Sequence, residues 1–216
     1  MAKKKLRIVL MGLPGSGKGT IGPLLERELG LPRLSTGDLI RDEVKAGTLF
    51  GTLAKKAIES GDLIPDRMVV DKVFRALKDP IFEKGVIFDG FPRNVFQARA
   101  LEKKKINPEA VVYLHAPEGI LIARLGNRRV CPACHAVYNL VSHPPKRQGF
   151  CDVDNVALVQ RDDDTPSVIR KRIDVWHTSM KDLIDFYQDT GVLKKVNADG
   201  TPKVVVARAL KVLPSL

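Results

Sequence analysis

The sequence predicts an α/β fold, a parallel sheet covered by helices on both faces, built around a phosphate-binding core that two insertions interrupt. Three observations predict it. The strand-like apolar run Leu6–Met11 passes directly into Gly12-Leu13-Pro14-Gly15-Ser16-Gly17-Lys18-Gly19-Thr20, a G-x-x-x-x-G-K loop. Short apolar runs then alternate with helical patterns along the chain. Two stretches break that rhythm: about 35–64, with only helical patterns and turn signals, and about 127–164, rich in Cys, Pro, His and Asp.

Taken in order, Leu6–Met11 suits a strand buried on both faces. In the loop that follows, glycines let successive N–H groups turn inward toward phosphate oxygens, and the next helix presents its positive dipole end to the same anion. Lys18 adds a mobile charge for the β- and γ-phosphates and Thr20 a hydroxyl, one position later than in the common form because Gly19 intervenes. Thr20–Leu29 reads as that helix, stopped by Gly30 and Pro32. Ser35-Thr36-Gly37-Asp38 is an N-cap signal for the first insertion.

Val86–Asp89 and Val111–His115 are two more buried strands. Asp89 ends the first of them, so its carboxylate reaches the sheet edge where loops bind ligand and where an acid can hold the water shell of a nucleotide's Mg²⁺. Gly90 allows close backbone approach, and Arg93 offers a fork of donors to phosphate. The second insertion carries short β-like pieces such as Val137–Val141; Val192–Val196 and a helix over Val204–Val212 close the chain.

The cysteines, 3 in all, lie between positions 131 and 151, which argues against a disulfide scaffold. Cys131-x-x-Cys134 followed by Cys151-x-x-Asp154 has the spacing of a closed, structural Zn²⁺ site, with Asp154 as an oxygen ligand. His135 and His143 are alternatives for the fourth position, and thiols packing a metal-free insertion are the alternative to a metal.

A chain of 216 residues, 44% hydrophobic and 28% charged, reads as one globular core with small appended modules. No stretch is long and apolar enough to span a bilayer, and Met1-Ala2-Lys3-Lys4-Lys5 precedes no apolar signal region, so the expectation is a cytoplasmic protein with no membrane partner. A net charge of +11 calls for an anionic partner or for a basic solvated surface. A nucleic-acid module is disfavoured because aromatic residues make up only 6% and no aromatic-rich basic stretch is present. A GTPase switch is disfavoured by the lack of an N-K-x-D motif.

With these residues in hand, the chain resembles the adenylate kinases of the nucleoside monophosphate kinase family. GLPGSGKGT, STGDLIR, FDGFPRNVFQ, ARLGNRRVC and QRDDD, followed by Arg172, match that family's motifs in order over nearly the whole chain. The resemblance implies a P-loop kinase core over 1–34, 65–126 and 165–216, a helical monophosphate-binding insertion over 35–64 and a small β-rich zinc lid over 127–164. It implies reversible Mg²⁺-dependent transfer of the ATP γ-phosphoryl to AMP, giving two ADP, by a monomer that maintains adenine nucleotide balance.

Carried over residue by residue, Gly12, Gly15, Ser16, Gly17, Lys18, Gly19 and Thr20 hold the donor's phosphates, with Arg124, Arg128 and Tyr138 also on the donor side. Thr36, Arg41, Ile58 and Gly90 contact AMP, the backbone of Asp62, Leu63 and Ile64 lies beside its base, and Arg93 pairs with its phosphate. Gln97 reads the acceptor base with its amide, which favours AMP over pyrimidine nucleotides. Arg128, Arg161 and Arg172, together with Arg124, clamp the transferring group; Arg161 and Arg172 also reach AMP, and Asp89 serves the metal. Nothing decides between ATP and GTP as donor. Asn127 and Asn139 stand where the family usually has Gly and where other members have His.

Overall fold

The computed structural model describes residues 5–60 and 64–214. In chain order the strands are β1 (Leu6–Met11), β2 (Arg33–Ser35), β3 (Gly85–Asp89), β4 (Ala110–His115), β5 (Arg128–Val130), β6 (Val137–Asn139) and β7 (Leu193–Asn197). The α-helices are α1 (Lys18–Leu29), α2 (Thr36–Lys45), α3 (Leu49–Ser60), α4 (Asp66–Ala76), α5 (Val95–Lys103), α6 (Glu118–Gly126), α7 (Pro166–Asp189) and α8 (Pro202–Val212). Five strands form one sheet in the order β2-β3-β1-β4-β7, and every pairing in it is parallel.

Alternation along the strands divides the core into two layers. Leu6, Ile8 and Leu10 of β1 meet Ile21 and Leu25 of α1 and Val205, Val206 and Ala209 of α8. Val9 and Met11 point the other way, into a layer with Val86, Phe88, Met180 and Leu183. Each such side chain contributes about 1.5–3 kcal/mol by leaving water, so the central strands anchor the loops at their C-terminal ends. That end carries the large cavity.

Several elements differ from the sequence reading for identifiable reasons. α1 starts at Lys18 rather than Thr20, because Gly17 takes the left-handed conformation (φ 96°) and serves as its N-cap. β2 was not anticipated: three residues on a sheet edge are too few to display a period. The β-like piece at Val137 stops at Asn139, whose Oδ1 accepts from the N–H groups of Val141 (3.0 Å) and Ser142 (2.9 Å) and turns the chain. Asn127 caps α6 at φ −92°, an ordinary conformation, with its side-chain amide on the Ala123 carbonyl.

Between β2 and β3, α2 and α3 pack on the core through Ile40 and Ala54, and the Glu43 carboxylate joins Lys72 of α4. Between α6 and α7, β5 and β6 pair antiparallel over a small core of Cys131, Tyr138 and Cys151. The 24-residue α7 buries Ile169, Ile173, Met180, Leu183 and Tyr187 on one face and runs from this second insertion back to the sheet. Among the described residues no helix is long and apolar enough to cross a membrane.

Candidate active site

The loop after β1 bends so tightly that a Cβ on Gly15 (φ 81°) would lie 2.5 Å from the Leu121 carbonyl oxygen. Gly17 leaves α1 without a side-chain cap, so the first N–H groups of the helix are available to an anion. Lys18 curls over the loop, donating to the carbonyls of Gly12 (2.5 Å) and Leu13 (3.0 Å) and to Ser16 Oγ (3.4 Å). Burial, partly offset by Asp89 and reinforced by Arg93, Arg172 and Arg128, lowers the Lys18 pKa to about 7. A site that buries a lysine, with arginines around it, until it begins to lose its proton is suited to a polyanion.

That loop is one wall of a cavity of about 1450 Å³. Every predicted loop residue from Gly12 to Thr20 that was assigned to the donor phosphates lines it, and so do Arg41, Ile64, Asp89, Gly90, Arg93, Arg124, Arg128, Tyr138, Arg161 and Arg172. Arg128 makes a bidentate pair with Asp164, at 2.7 Å from Nε and 2.5 Å from Nη2. Arg172 donates to the Asp163 carbonyl (2.9 Å) and carboxylate (2.8 Å). Arg93 donates from Nε to the Gly90 carbonyl (2.7 Å) and lies 4.9 Å over the Trp176 ring. Burial and neighbouring arginines hold Arg93 down at about 10 and Arg161 at about 9, and the buried Nε atoms of Arg41 and Arg161 have no hydrogen-bond partner. These are donors waiting for acceptors.

On the acceptor side the arrangement is less open. Thr36, buried at the start of α2, turns its hydroxyl to the carbonyls of Gly90 (2.9 Å) and Asp89 (3.3 Å) rather than into the cavity. Gln97, 2% exposed, donates to Asp66 Oδ1 (2.7 Å) and accepts from the Arg93 N–H (2.8 Å); it is not on the cavity wall. Its amide keeps one donor hydrogen and one acceptor lone pair unassigned. Asp62 and Leu63 lie outside the described residues, and Ile58 falls within α3. Arg124 reaches from α6 to the Ala198 carbonyl (3.0 Å), bringing the loop after β7 to the cavity.

The two insertions meet across the cavity mouth, where His135 Nε2 of the second lies 3.2 Å from Asp42 Oδ1 of α2. Beside it Cys131, Cys134, Cys151 and Asp154 bring their ligand atoms within 4.8 Å of one another. The Cys134–Cys151 sulfurs are 3.6 Å apart and the Cys131 sulfur is 3.2 Å from Asp154 Oδ2. A tetrahedral Zn²⁺ with Zn–S bonds of about 2.3 Å places its sulfurs about 3.7 Å apart, so these residues fit the ion. His135 is engaged with Asp42 and His143 stacks on Tyr138 at 6.1 Å, and neither belongs to the cluster.

Sequence reasoning missed Arg33, Asp66, Asp164 and Trp176. Asp164, 1% exposed, is the buried partner of Arg128 and Arg172. The run Asp162-Asp163-Asp164 was a signal for it, since acids buried beside arginines are paired with them.

The comparisons agree with this geometry. The family model described as adenylate kinase matches residues 10–192. The chain is 41% identical to the adenylate kinase of Oceanobacillus iheyensis, over 93% of this chain and 95% of that protein. It is 40% identical to that of Streptomyces coelicolor (96% and 98% covered) and 41% identical to that of Thermotoga neapolitana (95% and 96% covered). Because the agreement runs from the phosphate loop through both insertions to α7, this protein belongs to the adenylate kinase family.

Proposed function

We propose that the protein transfers the γ-phosphoryl of Mg²⁺-bound ATP reversibly to AMP, giving two ADP, and so keeps the adenine nucleotides in balance. The observation that carries this reading is the convergence of Lys18, Arg93, Arg128, Arg161 and Arg172 on one cavity of about 1450 Å³. That volume exceeds the roughly 300–1,000 Å³ of a site for one small ligand, as two nucleotides require.

In this reading the backbone of Gly12–Thr20 and Lys18 hold the donor's phosphates, and Arg124 and Tyr138 lie on the donor side of the cavity. Arg93 and Arg41 take the AMP phosphate. Arg128, Arg161 and Arg172 face the equatorial oxygens of the moving phosphoryl group, where charge is concentrated in transit. The residues 35–64 act as the AMP-binding insertion and 127–164 as the lid, and the His135–Asp42 contact supports their closing against each other to exclude water. Mg²⁺ arriving with ATP would neutralise phosphate charge, and Asp89 at the end of β3 would hold its hydration shell. The remaining donor and acceptor of Gln97 are assigned to adenine, which requires AMP binding to open the cavity wall to this buried amide.

Zn²⁺ held by Cys131, Cys134, Cys151 and Asp154 is structural, because four protein ligands leave no open position. Thiols used for a metal suit a reducing compartment, which supports the cytoplasm as its location. A cavity whose described lining comes from one chain supports action as a monomer. The test is incubation with Mg·ATP and, separately, AMP, CMP, UMP and GMP, with the nucleotides formed resolved by chromatography. ADP from ATP plus AMP, with little from the others, is the expected result; no turnover of any monophosphate overturns the reading.

A further inference from the structure

The metal-facing edge of the site already contains a cation. Arg33 Nη1 donates to Asp89 Oδ2 at 2.9 Å, and Nη2 of the same guanidinium reaches Asp38 Oδ2 at 3.2 Å. Arg33 opens β2, in register with Ile87, two residues before Ser35 pairs with Asp89. Side chains two apart share a face, so Arg33 lies along the sheet toward the strand ends, on the side that α1 covers. It lines the cavity and is 18% exposed, with its Nε buried and unpartnered.

α1 makes room for it. A Cβ on Gly22 would lie 2.7 Å from Arg33 Cδ and 3.5 Å from Asp89 Oδ2. Glycine inside a helix is destabilising relative to alanine, and Gly22 is buried in the second turn of α1. The space it leaves is filled by the arginine stem. Arg33, Asp38, Asp89 and Gly22 thus form a seat built for a guanidinium.

We propose that Arg33 is a resident counter-cation of the metal edge: it holds Asp38 and Asp89 in place before the nucleotide arrives and then competes with the nucleotide's Mg²⁺ for Asp89. It thereby sets how much free divalent cation the donor site needs. This rests on the reading of Asp89 given above and adds to it a residue that opposes the metal. Removing one positive charge at this range strengthens cation binding by about tenfold when most of the field is screened.

The test is Mn²⁺ binding, read by electron paramagnetic resonance, to the full chain carrying a non-hydrolysable ATP analogue, with Mg²⁺ as competitor. Arg33→Gln is expected to tighten Mn²⁺ about tenfold, while Arg33→Lys stays near the wild-type value. Gly22→Ala, which keeps the charge but pushes the stem off its seat, is expected to tighten it in the same direction. Should Arg33→Gln fail to fold, Gly22→Ala decides alone. Unchanged or weaker Mn²⁺ binding in the folded variants overturns the proposal. Asp89→Asn separates the two levels: if it weakens Mn²⁺ while the Arg33 variants do nothing, only this proposal falls, and if it changes nothing, the reading of Asp89 falls with it.

Discussion

Replacing Arg128 by alanine perturbs two quantities whose sizes follow from its contacts. Its guanidinium is paired bidentately with Asp164, whose side chain is 0% exposed. Stranding one member of a buried pair costs about 3–5 kcal/mol. Here Arg172 still reaches Asp164 Oδ1 at 3.4 Å, so about 2–3 kcal/mol is the better figure for the loss of stability. For a chain of this size that lowers Tm by about 5–10 °C. Catalysis loses separately: removing one donor aimed at developing charge costs roughly 2.7–4 kcal/mol, or about a hundredfold or more in kcat. The assay is steady-state kcat at 25 °C, well below the unfolding transition, alongside thermal unfolding of the same preparation. The companion Asp164→Asn leaves Arg128 in place but removes its counter-charge, and should share the stability loss with a far smaller fall in kcat. Wild-type kcat in Arg128→Ala, or equal losses of kcat in both variants, would refute the division of labour.

Lys18 links the site to pH. Its pKa of about 7 lies below the ordinary lysine value of about 10.4. Below about pH 7 native and unfolded chains both hold that proton, and the cost of burying the charge is fully present. From there to about pH 10.4 the unfolded chain binds more protons, so the nucleotide-free protein should gain stability relative to Lys18→Met as pH rises. Bound polyphosphate restores the charge, so ATP binding near pH 8 should take up protons; calorimetry in buffers of different ionisation enthalpy measures this, and Lys18→Met should show no such uptake. Chelator-free, reductant-free protein should contain zinc at one ion per chain, and Cys134→Ser should lose it with a lower Tm; metal analysis showing little zinc in the wild type would remove the site. Gln97→Ala should raise KM for AMP by at least about tenfold with a smaller change in kcat, and an unchanged KM would take base reading away from Gln97.

What was legible in the sequence was what adjacent residues dictate. The strand-loop-helix unit at Leu6–Leu29 is encoded by an apolar run and three glycines, and Ser35 caps α2 by accepting from the Asp38 N–H at 3.2 Å, as its spacing required. The Cys-x-x-Cys and Cys-x-x-Asp pairs form one cluster because each knuckle is local and only their meeting is tertiary. What could not be read depends on partners far apart in the chain. Arg33 meets Asp89 across 56 positions, and Arg128 meets Asp164 across 36. Nor does a side-chain amide announce that it is partly engaged internally: Gln97 carries the residue type for base reading, yet Asp66, 31 positions away, already holds one hydrogen of its nitrogen.

Those long-range pairs share a logic. A cavity lined by so many cations would repel itself apart if each charge stood alone, and burial makes that repulsion stronger. The protein sets its own carboxylates among them: Asp38 against Arg33 and Arg41, Asp89 against Arg33, Asp163 and Asp164 against Arg172 and Arg128. Lys18 rests on loop carbonyls in the same way. Although burial pushes the Asp38 carboxyl up, Arg41, Ser35 and Arg33 outweigh it and hold the pKa at about 2, so this acid stays ionised through the physiological range. In the proposed reaction phosphate would enter by exchange, taking donors that are already oriented by an internal acceptor. The arginines lose little freedom when it arrives, which keeps the binding energy available for the oxygens that carry charge during transfer. Where no acid supplies a partner, at Nε of Arg41 and Arg161, the site keeps unsatisfied donors. Those are the points at which an incoming oxygen gains most, because a buried donor without a partner is costly until it is bonded.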